Sequence, residues 1–322
     1  MQLKNLFTNN SKKKTTKMKK FLLNILLPVI IAICIFLISF EIYLRQLPND
    51  WKYKREYLDS NANKIQLLVM GPSTISMGIK PSCFDLNGFS IAGPAQAFIF
   101  DSWIFDKYID KMDSLQYVIL PFQLITKSGM NQDHSFFLKN YSIYFAYPMQ
   151  GIEYNYKIGG NLFNTMQRIR NGSEFSIDTD GYQSRYFKDI KLSESQWKEL
   201  RKKAFNNYQK AKNDTLKDFN EPVYHYNKVI NQCSKRNVHC VIVRTPMNMG
   251  QYAYTTKGDS LTYCLIDSIM HINKNVKFVD FSVLQLDNDK FFDVQHLNPR
   301  GAKKLTLMLN DSIRKWEENG SW

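Results

Sequence analysis

The 322-residue chain is poor in cysteine, proline and glycine, with 5, 10 and 14 of each, and it carries 29 acidic residues against 43 basic ones. So few cysteines exclude a disulfide-stapled miniprotein, and so little glycine excludes a collagen-like chain. A hydrophobic share of 44% excludes a fully disordered chain and suffices for one large domain or two small ones. No repeat of fixed period is present, and no low-complexity tract beyond a Lys-rich start. There is no C-x-x-C pair and no Cys/His grouping at metal-ligand spacing, so no metal site is legible. Cys34 falls in an apolar run, and Cys83, Cys233, Cys240 and Cys264 are read as small buried thiols in preference to disulfides, whose pairing the spacing does not fix.

The shortage of acid is partly local. Residues 1–20 hold seven Lys and no acid, leaving 36 bases against 29 acids for the rest. Half of the basic excess is therefore a tail, and nucleic acid is not expected as a partner. The uncharged run Phe21–Phe40 follows directly, long enough at about 1.5 Å per residue to cross about 30 Å of hydrocarbon. A cleaved signal peptide would have a shorter apolar region and a small-x-small site, whereas this run ends in Phe-Glu-Ile-Tyr. Positive residues stay on the cytoplasmic side, while residues 41–60 balance four bases with four acids. The expected layout is a cytoplasmic tail (1–20), a single-pass anchor in the cytoplasmic (inner) membrane (21–44), a juxtamembrane linker or first helix (45–63), and an exported domain (64–322).

Within that domain short apolar runs alternate with helical patterns. Ile65–Met70, Phe89–Ile91, Tyr117–Leu120, His239–Val243 and Val276–Phe281 read as strands buried on both faces of a parallel sheet. Ala95–Met112, Glu221–Lys235, Asp259–Ile272 and Pro299–Glu318 suit crossover helices, the last with Asn298 as N-cap and Pro299 at its first position. That alternation predicts an α/β fold. Residues 124–220 break it with Tyr- and Asn-rich loops and an exposed amphipathic helix, Ser195–Lys212. An insertion after a strand's C-terminus is expected to line the ligand cleft.

Ile65–Met70 runs into Gly71-Pro72-Ser73-Thr74, which puts Ser73 just past a strand end, where a side chain projects into the cleft and a backbone N–H can meet an oxyanion. The segment before the last helix reads Phe292-Asp293-Val294-Gln295-His296. An Asp three residues before a His can accept the Nδ1 proton and leave Nε2 free to take one from a serine. In a doubly wound sheet both loops lie at the same C-terminal edge. Ser76 reads as structural, His134, His225, His239 and His271 as surface or core residues, and Gln96 and Asp101 as cleft-lining or helix-capping.

With these residues in hand, the chain resembles the SGNH, or GDSL-like, hydrolase superfamily, in particular its membrane-anchored branch from cell-envelope polysaccharide loci. The resemblance rests on GPSTISMG (Gly71–Gly78), IAGPAQAFIFD (Ile91–Asp101) and FDVQHLNPRGA (Phe292–Ala302) and spans about residues 64–318. It implies a flavodoxin-like three-layer sandwich, with Ser73 as nucleophile, His296 as general base, Asp293 as its orienter, and the backbone of Ser73 and Gly93 in the oxyanion hole. Pro72 stands where the family has Asp, and Leu120-Pro121-Phe122-Gln123 replaces its Gly-x-Asn-Asp, which leaves Gln123 as the side-chain oxyanion donor. The implied activity is hydrolysis or transfer of an ester acyl group, acetyl first, on a cell-surface polysaccharide or other acylated glycan, with no cofactor or metal. The lipid bilayer and a membrane-bound acyl-donor protein are the further partners it allows. The rival expectation is a non-catalytic glycan-binding or assembly protein that keeps the fold.

Overall fold

The computed structural model describes residues 2–122, 135–149, 176–184, 192–211, 220–250 and 257–322. The chain divides into two units, residues 1–47 with 150–173, and residues 48–149 with 174–322. Among the described residues, the first unit is one helix, α1 (Gln2–Gln46), with Pro28 inside it. Between Lys17 and Gln46 an 18-residue window reaches a mean hydropathy of 3.1. By length and composition this helix can cross a membrane.

The second unit is built on five strands, β1 (Leu67–Val69), β2 (Gly88–Ser90), β3 (Tyr117–Pro121), β4 (His239–Arg244) and β5 (Val276–Asp280), all parallel in the order β2-β1-β3-β4-β5. This is the flavodoxin-like arrangement of a doubly wound sheet. The apolar runs produce it because every residue of β1 and β3 is buried, as only a sheet covered on both faces allows. On one face Leu67, Val69, Tyr117, Ile119, Val241 and Val243 pack with Leu305, Leu309 and Ile313 of α9 (Pro299–Glu318). Leu68, Val118 and Cys240 alternate to the other face. There α4 (Phe98–Tyr108) packs on α7 (Asn220–Lys235), with the Phe98 and Tyr226 rings 5.0 Å apart and Cys233 beside Cys240. Helix α8 (Lys257–Ile272) links β4 to β5.

Of the two readings of residues 45–63, the helix is the one formed. Helix α2 (Asp50–Asn61) starts the second unit at Pro48, not near Lys64. Trp51, Lys54 and Leu58 recur at helical spacing and are all buried. Burying Leu58 alone is worth about 2 kcal/mol. Asn49 caps the helix by accepting the Lys52 N–H at 3.0 Å, and its side chain donates to the Tyr144 hydroxyl of α5 (Ser135–Phe145) at 2.8 Å.

The helix expected at 195–212 is α6 (Glu194–Ala211), and it is not simply exposed. Trp197 joins the core cluster with Leu200 against it, which covers the helix's apolar stripe. Residues 123–134, 150–175, 185–191 and 212–219 lie outside the described residues, so the cleft-lining expectation for the insertion falls largely outside them too.

Candidate active site

The nucleophile turn follows from what Gly71 permits. Its φ is 137°, and a Cβ there would stand 3.0 Å from Ile75 Cγ1 and 3.1 Å from Pro121 Cβ, so both the backbone conformation and the space require glycine. Pro72 is extended and begins the four-residue helical turn α3 (Ser73–Ser76), its carbonyl accepting the N–H groups of Ile75 and Ser76 at 3.0 and 2.9 Å. Ser73 thereby leaves the strand end as the first helical residue, whose N–H has no intrahelical acceptor. Ser76 is fully buried and donates to Gln183 Oε1 at 2.8 Å, as its structural reading expects.

The second loop is pinched at its base. Phe291 bridges Leu297, and the Phe292 N–H donates to the His296 carbonyl at 2.9 Å. Asp293 Oδ1 accepts the N–H groups of Gln295 and His296 at 2.8 and 2.9 Å, an Asx turn that folds the carboxylate back over its own loop. Asn298 caps α9 by accepting the N–H groups of Arg300 and Gly301 at 3.0 and 3.1 Å. A Cβ on Gly301 would collide with the Lys290 carbonyl, so glycine lets the loop close against the helix start.

These two loops meet. Ser73 Oγ lies 2.9 Å from His296 Nε2, and His296 Nδ1 lies 3.0 and 2.9 Å from the two Asp293 oxygens. A carboxylate only accepts, which puts the ring proton on Nδ1 and leaves the Nε2 lone pair facing the serine hydroxyl. Burial pushes the Asp293 carboxyl upward, but the hydrogen bond and charge of His296 and the two backbone N–H groups outweigh it and hold it below the usual carboxylate range. A hydroxyl, an imidazole and an ionised carboxylate in series can move a proton off Ser73.

Gly93 requires a correction. Its N–H donates to the Gly71 carbonyl at 3.0 Å, so in this arrangement it is not available to an oxyanion. Gln123 lies outside the described residues. Gln96 and Asp101 neither line the cleft nor cap a helix. Both are buried, and Asp101 Oδ1 accepts the Gly71 N–H at 2.9 Å and Gln96 Nε2 at 2.5 Å. Of the histidines set aside, His225 Nδ1 lies 3.3 Å from Ser102 Oγ, His239 packs its ring 4.1 Å from that of Trp322, and His134 is outside the described residues.

Sequence reading passed over Lys54, Arg201 and Asn248. Lys54 Nζ donates to the Ala92 carbonyl beside Gly93, and the Asn248 N–H donates to the Val294 carbonyl at 2.8 Å. Lys54 shares a helical face with Trp51 and Leu58, but a lysine there reads as exposed, and Arg201 and Asn248 owe their places to partners distant in the sequence, which leave no local signal.

No family model matches the chain, and no curated protein matches it. Among solved structures, the crystal structure of a candidate acylhydrolase from Bacteroides fragilis is similar at 11% identity and a TM-score of 0.37, over 83% of this chain and 99% of that one. The α/β class assigned to this chain rests on its own sheet order and parallel register.

Proposed function

We propose that this chain is a membrane-anchored, extracytoplasmic serine enzyme of the SGNH, GDSL-like type that hydrolyses or transfers an ester acyl group, acetyl first, on a cell-surface polysaccharide. The observation that carries the reading is the continuous series Ser73–His296–Asp293, closed at 2.9 Å on both sides of the imidazole. Ser73 Oγ attacks the acyl carbonyl carbon while its proton passes to His296 Nε2. The negative carbonyl oxygen settles against the Ser73 N–H with Gln123 as side-chain donor, and Asp293 balances the imidazolium charge. Collapse expels the sugar oxygen, which takes the proton from Nε2. Water or a second sugar hydroxyl then attacks the acyl-serine, giving its proton to Nε2, and the Ser73 oxygen leaves with that proton. Residues 21–44 hold the enzyme in the inner membrane with the catalytic unit outside, where a membrane-bound donor protein supplies the acyl group in the transferase case.

The test is covalent labelling of the full chain by a fluorophosphonate serine probe, with Ser73→Ala as control, beside release of acetate from an acetylated model sugar. Labelling that survives in Ser73→Ala, or a wild type that neither labels nor releases acetate, would sink the proposal. The second reading, a glycan-binding or assembly protein, is favoured by one observation: the Gly93 N–H is spent on Gly71. It is the reading that stands if the wild type binds acetylated polysaccharide without turnover.

A further inference from the structure

Beneath the Gly71–Ser73 turn lies a buried acid that the proposed reaction does not use. Asp101, in the first turn of α4, is 0% exposed. Its Oδ1 holds the Gly71 N–H at 2.9 Å, and among the described residues its Oδ2 has no hydrogen-bond partner. The acceptor is itself held from the other side. Gln96 Nε2 donates to Asp101 Oδ1 at 2.5 Å and to the Ile91 carbonyl at 3.2 Å, and Gln96 Oε1 accepts the Tyr141 hydroxyl at 2.8 Å. The Gly71 carbonyl in turn accepts the Gly93 N–H, and Lys54 fastens the neighbouring Ala92 carbonyl. Ala95, between Gly93 and Gln96, sits at φ 49°, a conformation an alanine keeps only where its surroundings impose it.

Gly71 is therefore clamped at both its N–H and its carbonyl, two residues before Ser73. An apolar residue at position 101 would fill the volume without the cost of burying a carboxyl, but it would leave the Gly71 N–H with nothing to bond. We propose that Asp101 is the positioning residue of the nucleophile turn, fixing through the Gly71 N–H the backbone from which Ser73 reaches His296. Asp101 touches no reacting atom. The proposal rests on Ser73 as nucleophile for its kinetic consequence, though not for its effect on the turn.

The experiment compares the full chain with Asp101→Ala and Asp101→Asn, the second of which keeps an Oδ1 acceptor in nearly the same place. Hydrogen exchange of the peptide covering residues 69–77 reads the turn without reference to activity. Probe labelling, kcat and KM read the nucleophile. In Asp101→Ala, exchange in that peptide and loss of labelling rate and kcat should each reach about tenfold or more, with KM within about threefold, because a small misplacement of a reacting group is costly. Asp101→Asn should return every readout to within about threefold of wild type. Exchange and labelling in a folded Asp101→Ala within about threefold of wild type would overturn the proposal, as would an Asp101→Asn no better than Asp101→Ala. Should Asp101→Ala not fold, Asp101→Leu replaces it, and if Leu also fails to fold the residue serves global stability and the positioning role is lost. A wild type that neither labels nor turns over sinks the enzymatic reading, while the exchange comparison still decides what Asp101 does to the turn.

Discussion

The carbonyl of Val294, between Asp293 and His296, accepts the backbone N–H of Asn248 at 2.8 Å. Asn248 is held in turn by Arg201, whose Nε and Nη2 donate to its Oδ1 at 3.1 and 2.9 Å, and its own Nδ2 donates to Asn288 Oδ1 at 2.9 Å. Arg201 also pairs with Glu194 at 2.9 Å. Helix α6 is thus tied to the loop that carries the imidazole. Arg201 Nη2 also donates to Asn288 Oδ1 at 2.5 Å, so removing the guanidinium leaves Asn248 and Asn288 short of donors, at a cost of about 2 kcal/mol. For a unit of this size Arg201→Ala should lower the melting temperature by about 4 to 8 °C. The proposed deacylation should slow as the loop loosens. A melting curve that does not move refutes the tie.

Gln123 is asked to stand where the resembling family has an Asn. If its side chain meets the oxyanion, Gln123→Ala should slow deacylation of an acetylated model sugar by about 10² to 10³, the usual effect of losing such a donor. The requirement on it is greater because the Gly93 N–H is engaged with Gly71. A change smaller than about threefold in a folded variant removes Gln123 from the mechanism.

Burial raises the Asp101 carboxyl to about 8, against hydrogen bonds from Gln96 and Gly71 and the charge of Lys54 that pull it down. Its pKa is higher folded than unfolded, so between about 4 and 8 the folded state binds more protons. Stability from this group is therefore full at acid pH and is lost as pH rises through that window. Lys54, lowered to about 8 by burial and supported by the charges of Asp50 and Asp101, has the opposite sign and acts above about 8. Tyr141 faces the same group from α5, its hydroxyl pushed up by burial, and does not titrate in the window. The expected outcome is that Asp101→Asn gains thermal stability relative to wild type as pH rises from about 5 to about 8. Melting curves across that range check it, and a constant difference between the two proteins counts against it.

Topology gives the fourth prediction. With seven Lys before the apolar run and a balanced flank after it, residues 1–20 should stay cytoplasmic and everything beyond about Leu44 should be exported with the anchor uncleaved. Protease added to intact spheroplasts should digest the C-terminal unit and spare the tail. A protected C-terminal unit, or a mature N-terminus beyond residue 40, would reverse this assignment.

Much of the frame is local, and so legible in the chain. Five apolar runs became the five strands within a few residues, because a strand buried on both faces must be apolar without interruption. Asn298, Pro299 and the apolar stripe through Leu305, Leu309 and Ile313 marked α9 at its observed start and end, since a cap and a 3.6-residue period are both short-range signals. Asp293-x-x-His296 was readable as a pair for the same reason: three residues of loop are enough to bring the groups together. What the chain could not state was any relation between distant polar groups. Ser73 and His296 are 223 residues apart, and only the parallel register, by bringing the ends of β1 and β5 to one edge, makes their 2.9 Å separation attainable. Only the tertiary structure decided that the Gly93 N–H goes to Gly71, that Asp101 turns inward to the same glycine, and that Lys54 of the juxtamembrane stretch is part of the core. Hydrogen bonds are satisfied wherever packing brings a donor to an acceptor, and that encounter leaves no period or spacing in the sequence.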